Sequence, residues 1–556
     1  MHREARRQFE AFRRNAEPVA NQVVDDLLDG EFYDRQEFLR RGTMFGLSVS
    51  ALSAALVAAG EAPVAFAGSS RLRAGGQLNV GIFPIPSGTI EPYSQLGSGV
   101  FLASIAGEYL VRSTIGGLAR PELATSWKPN ANATVWTVKI RPNVKFQNGQ
   151  TLTARDVIAT FKRVTDPNSQ SQALSVFNGV LVPDGVQPGP TADTVVFHLE
   201  RPTASFPLAI SPSTFSAMIL PANYEPGTFT SQPQATGAFQ FASYTPGVGA
   251  TFARFDRWWR GRPPLDRVNA IFYADSAAVD AALLSGQIDL TTSAALATDR
   301  PLFGNKNIHI FRARSADHAE VCMRVDLPPF NDHRVREAIA LSLNRPAIVR
   351  TLFSKYAQVG NDHPFAPIYP STVAIPQRHE DLRRAKELLA AAGHKHGFSA
   401  QLTLGEYGAG VEYAQIIQAA VKKIGIKLSI KSEPLTAYYA GTPKTTPWLN
   451  APMTLTPWLS RPTPNTYLTA GLQSKGIWNA SHYRSRKFDS LSNSYIAAIA
   501  LKDQRRYARQ IETLLRHDTP VIWAWFSDDT TAGSTKVRGY TVLPNSFYLS
   551  NVSLRA

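Results

Sequence analysis

The chain has 556 residues, a formal net charge of +15 and a single cysteine, Cys322. One cysteine excludes a disulfide framework and a cysteine-based zinc site, and 44% hydrophobic residues with 10% aromatic residues are typical of a globular protein. Because the basic residues are dispersed along the chain and are not clustered beside stacking aromatic residues, the composition argues against nucleic-acid binding and favours attraction to anionic solutes or surfaces. Cys322 lies in an apolar run, which predicts a buried small side chain and no nucleophile.

The N-terminal region has the layout of an export signal. Residues 46–59 are apolar and small, and a length of about 14 residues is too short for a typical membrane span. Ala65 and Ala67 form an Ala-x-Ala cleavage signal, which predicts a mature chain that begins near Gly68. No cysteine lies near this point, so we expect no lipid anchor.

Arginine residues precede this apolar stretch in a pattern that resembles a twin-arginine (Tat) export signal. Gln36 stands where the second arginine of that pattern would be, which is its one departure. The residues that carry the resemblance are Arg35, Phe38, Leu39, Arg40 and Arg41. We therefore expect export out of the cytoplasm, by the Tat route or by the general secretory route.

The first elements after the predicted cleavage point are a strand at residues 77–83 and a helix at residues 100–110. Residues 135–140 alternate between apolar and polar side chains, which predicts a half-buried strand. Thr153 is a predicted N-cap, and Asp156 at the third helical position favours a capping box. A helix with an apolar face is expected to follow.

Five linked motifs in this part of the chain resemble the peptide/nickel/opine family of extracytoplasmic solute-binding proteins. Together they lie within residues 107–163 at the spacing that this family shows. They are Tyr109 to Arg112, Pro121 to Trp127, Trp136 to Val138, Arg141 to Gly149, and Ala154 to Val157. A second match covers residues 328–345, where Asp332 can cap a helix.

The resemblance implies an α/β protein with a two-lobed, periplasmic-binding-protein-like fold of type II. It further implies an extra subdomain in lobe I and a ligand cleft between the lobes. The expected division is as follows: export signal and flexible region 1–67, lobe I 68–115, extra subdomain 116–235, lobe I 236–325, lobe II 326–511, and lobe I again 512–556. Within lobe II, a strand, a helix and a strand over residues 401–430 predict a βαβ unit with parallel strands.

Candidate ligand-binding residues follow predicted strands of lobe II. Tyr407 comes directly after such a strand, and crevices at strand ends are where α/β proteins bind small molecules. Near Trp458, the resemblance implies an aspartate that pairs the α-ammonium group of a peptide, but here Arg461 occupies that place and Thr463 the later acid position. A planar, always-charged guanidinium suits a carboxylate or a phosphate. We therefore hypothesise an anionic ligand or a modified peptide that Arg461 contacts and that stacks near Trp458. Arg461 as an exposed loop charge is left open as the alternative.

Aromatic residues of lobe I are further candidates for the cleft. Tyr93 stands where the family has a segment at the cleft edge. Trp523 and Trp525 alternate along a predicted strand, which places them on one face, and either could wall the cleft. Packing of at least one of them in the core is the alternative.

The chain shows no catalytic motif: Gly-x-Ser-x-Gly, His-Glu-x-x-His and the P-loop are all missing from the sequence. His394 and His396 have no third partner in the sequence, so we expect no metal, no cofactor and no enzymatic activity. The predicted function is the solute-binding component of an ABC importer, with a small molecule or peptide as ligand and the membrane permease as partner. We expect a monomer in the periplasm or another extracytoplasmic space. An extracellular hydrolase on a similar scaffold is the alternative.

Overall fold

A computed structural model gives the architecture, and it describes residues 24, 35–47, 49–58, 75–83, 85–86, 88–95, 97–113, 119–296, 298–543 and 546–555. The predicted cleavage residues Ala65 and Ala67 lie outside the described residues, and so do the side chains of Arg35 and Arg40. No helix within these ranges combines the length and the apolar character that crossing a membrane requires.

The strands, numbered in chain order, are β1 Gln77–Ile82, β2 Val111–Ser113, β3 Ala119–Pro121, β4 Ala124–Pro129, β5 Val135–Ile140, β6 Val186–Pro188, β7 Thr194–His198, β8 Phe239–Thr245, β9 Gly249–Arg254, β10 Arg267–Phe272, β11 Leu290–Thr291, β12 Ile308–Met323, β13 Ala357–Val359, β14 Ser399–Gly405, β15 Lys427–Glu433, β16 Met453–Trp458, β17 Val521–Trp523, β18 Trp525–Ser534, β19 Val537–Arg538 and β20 Ser553–Leu554.

The α-helices are Arg35–Met44, Val49–Ala58, Ser98–Ala106, Ala154–Thr165, Leu174–Phe177, Phe206–Ala209, Ser276–Ser285, His333–Leu341, Arg345–Phe353, Leu382–Ala391, Gly410–Lys422, Leu435–Tyr438, Pro447–Asn450, Arg486–Ala497 and Leu501–Asp518. Short 3₁₀ turns lie at Pro183–Gly185, Phe215–Ala217 and Arg300–Leu302, and a π-helical turn lies at Tyr467–Leu472.

Strands β12 and β18 join the two halves of a mixed sheet. Its strand order is β15-β14-β16-β12-β18-β11-β1-β10-β9-β8, with β13 paired to β18 and β17 paired to β12. The first part of β12 pairs with β18, its last residues pair with β16 and β17, and the register shifts between Ala313 and Asp317. The protein is therefore an α/β, two-lobed structure in which one long strand serves both halves. The lobe boundary expected at residue 325 stays a prediction. Strand β12 changes its pairing partners earlier, between Ala313 and Asp317.

The first half of the sheet follows the expected pattern. The strand expected at residues 77–83 is confirmed as β1, which runs parallel to β10 and β11. The carboxylate of Asp289 accepts a hydrogen bond from the backbone N–H of Asn79 at 2.8 Å, so this acid holds two segments together. The preceding helix ends at Gly286 in a left-handed conformation with φ 79°, which glycine adopts without a steric penalty.

A separate four-stranded sheet has the order β4-β5-β7-β6. In β5 the buried residues are Trp136, Val138 and Ile140, so the predicted alternation is confirmed. The capping box is also present, because Asp156 accepts from the backbone N–H of Thr153 at 2.8 Å at the start of the helix Ala154–Thr165.

The second half contains the predicted βαβ unit. Strands β14 and β15 are parallel and are connected by the helix Gly410–Lys422. Asp332 caps the helix His333–Leu341 through the backbone N–H of Arg334, as the second family match predicted.

The apolar segment expected to be the core of the export signal packs against the four-stranded sheet. Phe38, Leu52 and Leu56 are buried in the same hydrophobic cluster as the side chains of that sheet. The indole N–H of Trp127 donates to the carbonyl oxygen of Met44 at 2.9 Å. The described helices Arg35–Met44 and Val49–Ala58 therefore contact the folded protein.

One prediction about the C-terminal aromatic strand is wrong. Residues 521–526 do not form one strand, because pairing is interrupted at Ala524 between β17 and β18. Trp523 then belongs to a different hydrophobic cluster from Trp525, and the two side chains do not share a face. The alternation rule fails here because it requires a continuous extended backbone.

Candidate functional site

A crevice lies between the four-stranded-sheet subdomain and the segment that follows β16. The cavity in it has a volume of about 50 Å³, which is room for a few water molecules only. Any solute larger than that must enter while the walls are apart. Its lining residues are Val176, Val180, Arg201, Thr203, Ser205, Leu208, Ala209, Ser213, Thr214, Arg461, Pro462, Thr463, Asn465, Thr466, Thr469 and Ile496.

The wall beyond β16 is held in place by hydrogen bonds from neighbouring elements. Tyr369 donates its hydroxyl to the carbonyl oxygen of Arg461 at 2.7 Å, and Tyr467 donates to that of Leu459 at 2.9 Å. The hydroxyl of Ser460 accepts from the backbone N–H of Ala316 on β12 at 3.0 Å. Because both ends of this loop are tied to β12 and to buried tyrosines, the position of the Arg461 side chain is set by the second half of the sheet.

Arg461 is the candidate ligand residue that the structure places in this crevice. Arg461 is only 8% exposed, and its guanidinium forms one hydrogen bond, from Nη1 to the carbonyl oxygen of Ser460 at 3.3 Å. Its buried Nε has no acceptor within the described part of the chain. The alternative of an exposed loop charge is therefore wrong.

A carboxyl pair lies behind Arg461. The carboxylate of Asp317 accepts from the backbone N–H of Ser460, and burial raises the pKa of Asp317 while the nearby charge of Arg461 opposes that rise. Burial and the neighbouring Asp317 raise the pKa of Asp529 well above its ordinary value. Burial and their closeness to each other thus disfavour the charged forms of both carboxyl groups.

Arg201 faces the same crevice from the other wall. It follows β7 and is half-buried, and burial lowers the pKa of its guanidinium. Its Nη1 makes a long hydrogen bond of 3.4 Å to the side-chain oxygen of Asn493, while its Nε has no acceptor in the described structure. A shorter hydrogen bond between the two sides runs from the side-chain amide of Asn465 to the hydroxyl of Ser205 at 3.0 Å.

Trp458 lies under the crevice and does not line it. It is 6% exposed and packs edge-on against Tyr467 and Trp478, with ring centroids 5.4 Å apart in each pair. The His318 ring stacks on Trp458 with the ring centroids 6.5 Å apart. This aromatic cluster supports the loop that carries Arg461, so contact between Trp458 and a ligand stays a prediction.

The other aromatic candidates are distributed through the two halves. Trp523 is fully buried, and Trp525 packs against core side chains of the βαβ unit. Tyr407 is half-buried against that same core, and Tyr93 lies half-buried near Glu91, with its pKa raised by burial. None of these four lines the crevice described above.

The double tryptophan of the first half binds a buried acid. The indole N–H groups of Trp258 and Trp259 donate to the carboxylate of Glu108 at 3.0 and 2.8 Å. Burial, with a contribution from Glu122, raises the pKa of Glu108 to about 7. These contacts explain the double tryptophan as structural support.

No cluster of three or more His, Cys, Asp or Glu side chains suited to a metal ion is present within the described ranges. Cys322 is buried, and burial raises the pKa of its thiol well above the ordinary value, as the sequence predicted for a buried thiol.

Sequence reasoning missed the subdomain wall of the crevice. Arg201, Thr203 and Ser205 lie in a loop, where neither periodicity nor a motif marks them. The signal that the sequence offers is Arg201 before a proline, followed by the hydroxyl residues Thr203 and Ser205. This segment lies between β7 and the short helix Phe206–Ala209. That pattern is common on protein surfaces, so only the fold shows which loop faces Arg461.

Comparison with known proteins places the chain among solute-binding proteins. Residues 119–479 match the family described as bacterial extracellular solute-binding proteins, family 5 Middle. The glutathione-binding protein GsiB of Shigella boydii serotype 4 (strain Sb227) is 27% identical over 317 residues, which cover 55% of this chain and 60% of GsiB. The chain thus spans about three fifths of the length of that curated relative.

Solved structures share the fold. DppA of Helicobacter pylori in complex with the peptide STSA superposes with a TM-score of 0.73 at 22% identity, covering 87% of this chain and 98% of DppA. AgaA of A. tumefacien R10 in complex with agropinic acid gives a TM-score of 0.74 at 22% identity, covering 86% of this chain and 99% of AgaA. At this identity the likeness shows the two-lobed fold.

Proposed function

Because the chain belongs to family 5 of the bacterial extracellular solute-binding proteins, we propose that it is the solute-binding component of an ABC importer. It captures a small molecule or a peptide outside the cytoplasmic membrane and delivers it to the permease subunits. The names of its relatives support this class of ligand, since GsiB is a glutathione-binding protein and AgaA was solved with agropinic acid.

The observation that carries the proposal is a crevice whose two walls come from different parts of the fold. One wall follows β7 and the other follows β16, and the bond from Asn465 to Ser205 joins them. A cavity of about 50 Å³ cannot admit a peptide or an opine while the walls are this close. Solute entry therefore requires an open form, and a bound solute that contacts both walls shifts the population to the closed form.

Small-angle X-ray scattering with thermal unfolding tests this function. We expect the protein without solute to be more extended, and a bound solute to reduce the radius of gyration and raise Tm without being chemically changed. Mass spectrometry of solute released from natively purified protein identifies the ligand. Turnover of a bound solute would support the hydrolase alternative, and one unchanging shape under every solute would contradict lobe closure.

Export belongs to the same proposal. We expect a cleavable leader with a Tat-like arginine pattern, removal near Gly68, and a monomeric mature protein without a lipid anchor in the extracytoplasmic space. Arg41 is buried and donates from Nη1 to the side-chain oxygen of Gln504 at 2.9 Å, so removal of the leader breaks contacts with the folded chain.

Identification of the N-terminal residue of the exported protein tests the predicted cleavage directly. We expect intact mass and N-terminal sequencing to place this residue near Gly68. We also expect the double substitution Arg40→Lys and Arg41→Lys to slow export by the Tat route. Comparison of the full chain with a chain that begins at Gly68 should show a red-shifted tryptophan emission in the shorter chain, because Trp127 loses its contact with Met44. Identical emission spectra would contradict the packing of the leader on the four-stranded sheet.

A further inference from the structure

The two arginines of the crevice come from opposite walls. Arg201 follows β7 of the four-stranded sheet, and Arg461 follows β16 in the other half. No aspartate or glutamate is among the described side chains that line the cavity. The lining is therefore positively charged, and the nearest acids, Glu200 beside Arg201 and Asp317 behind Arg461, lie outside it.

Each of the two guanidinium groups has a single, long hydrogen bond and a buried Nε without an acceptor in the described structure. A guanidinium has five N–H donors, yet Arg461 uses one of them at 3.3 Å and Arg201 uses one at 3.4 Å. Each Nε is buried without an acceptor in the described structure. Leaving a buried cation and its donors unsatisfied is costly, so an acceptor of opposite charge is the expected occupant.

The remaining lining is made of small hydroxyl side chains, one amide and an apolar floor. The polar group comprises Thr203, Ser205, Ser213, Thr214, Thr463, Asn465, Thr466 and Thr469, and the apolar group comprises Val176, Val180, Leu208, Ala209, Pro462 and Ile496. Hydroxyl and amide groups can both donate and accept, so they suit hydroxyl or amide groups of a solute. A free ammonium group would meet two cations and no acid here.

We propose that Arg201 and Arg461 bind the oxyanion groups of a small solute from opposite walls, so that the anion draws the crevice shut. This inference rests on the proposed solute-binding function and assigns its ligand class: a carboxylate-bearing solute with hydroxyl or amide groups. Arg201 is then a specificity-determining residue contributed by the four-stranded-sheet subdomain. Inorganic phosphate presents the same oxyanion chemistry and serves as a separate arm of the test.

The test measures binding of succinate, citrate, gluconate and phosphate to the full chain by calorimetry. We expect at least one carboxylate to bind the wild-type protein, and Arg201→Ala or Arg461→Met to weaken it at least tenfold each. Arg461→Lys keeps the charge without the planar fork, so we expect an intermediate loss. Arg350→Ala removes one exposed positive charge from a helix and is the matched control, with unchanged affinity expected.

Stability without solute separates loss of binding from loss of folding. Removal of an unpaired buried cation does not break an ion pair, so we expect Arg461→Met to unfold at a Tm equal to or above that of the wild-type protein. Binding of phosphate but of no carboxylate would overturn the carboxylate assignment. Binding of none of the four anions, or binding that Arg201→Ala and Arg461→Met leave unchanged, would overturn the anion clamp.

Failure of this inference is distinguishable from failure of the proposed function. If natively purified protein releases a neutral or cationic solute that closes the lobes in both arginine variants, the solute-binding function stands and the anion clamp is wrong. If scattering shows one rigid shape with every solute, the solute-binding function itself fails.

Discussion

Glu512 makes the stability of this protein depend on pH in a direction that can be measured. Its side chain is fully buried in the helix Leu501–Asp518, where one oxygen accepts from the backbone N–H of Val373 at 3.3 Å and the other has no partner in the described structure. Burial raises the pKa of Glu512 to about 8, against the opposing effects of that hydrogen bond and of Arg509. The folded state therefore holds a proton that the unfolded chain releases near pH 4.5.

The sign and the size of the effect follow from linkage. Because the pKa is raised on folding, the stabilising contribution of protonated Glu512 is complete below pH 4.5 and is lost as the pH rises through 8. Each pKa unit corresponds to about 1.4 kcal/mol, so the loss between pH 4.5 and pH 9 is roughly 3 to 5 kcal/mol. Glu512→Gln resembles the protonated side chain and removes this dependence.

Urea unfolding at pH 5, 6, 7, 8 and 9 provides the assay. We expect Glu512→Gln to match the wild-type protein within about 1 kcal/mol at pH 5 and to exceed its free energy of unfolding by a few kcal/mol at pH 9. Glu225→Gln changes an exposed acid on a turn and is the matched control, with the wild-type pH dependence expected. Parallel pH profiles for Glu512→Gln and the wild-type protein would refute the reasoning.

Two further substitutions test packing next to the junction of the halves. Asp362→Ala removes a buried carboxylate that Arg345 contacts at 2.7 Å and Arg378 at 2.8 Å, so we expect a loss of about 3–5 kcal/mol in urea unfolding; a loss below about 1 kcal/mol would contradict a shared buried ion pair. Gly360→Ala places a Cβ 2.4 Å from the carbonyl oxygen of Trp523, so we expect a loss of about 1–3 kcal/mol, seen as a lower Tm. An unchanged Tm would show that the backbone relaxes at this contact.

Local patterns explain why much of the fold could be predicted. The alternation in β5, the capping box at Thr153 and Asp156, and the N-cap at Asp332 depend on residues at most a few positions apart. Such patterns act through backbone geometry and nearby hydrogen bonds, which the order of residues already contains. The family resemblance extended these elements to a two-lobed fold.

The interruption at Ala524 shows where local patterns stop. Alternation predicted one face for Trp523 and Trp525, but β17 pairs with β12 whereas β18 pairs with β11, β12 and β13. Each tryptophan therefore packs into the core of its own neighbours. The interruption of pairing at Ala524, which no local pattern contains, decided the face.

The sequence by itself determined the alternation of β5, the helix starts at Thr153 and Asp332, and the single buried thiol. Only the tertiary structure decided that Arg461 is buried and that Arg201, 260 residues earlier in the chain, faces the same crevice. The physical reason is that a site between two walls is made by the packing of distant loops. The charge and the hydrogen-bond deficit of such a site exist only once both loops are in place.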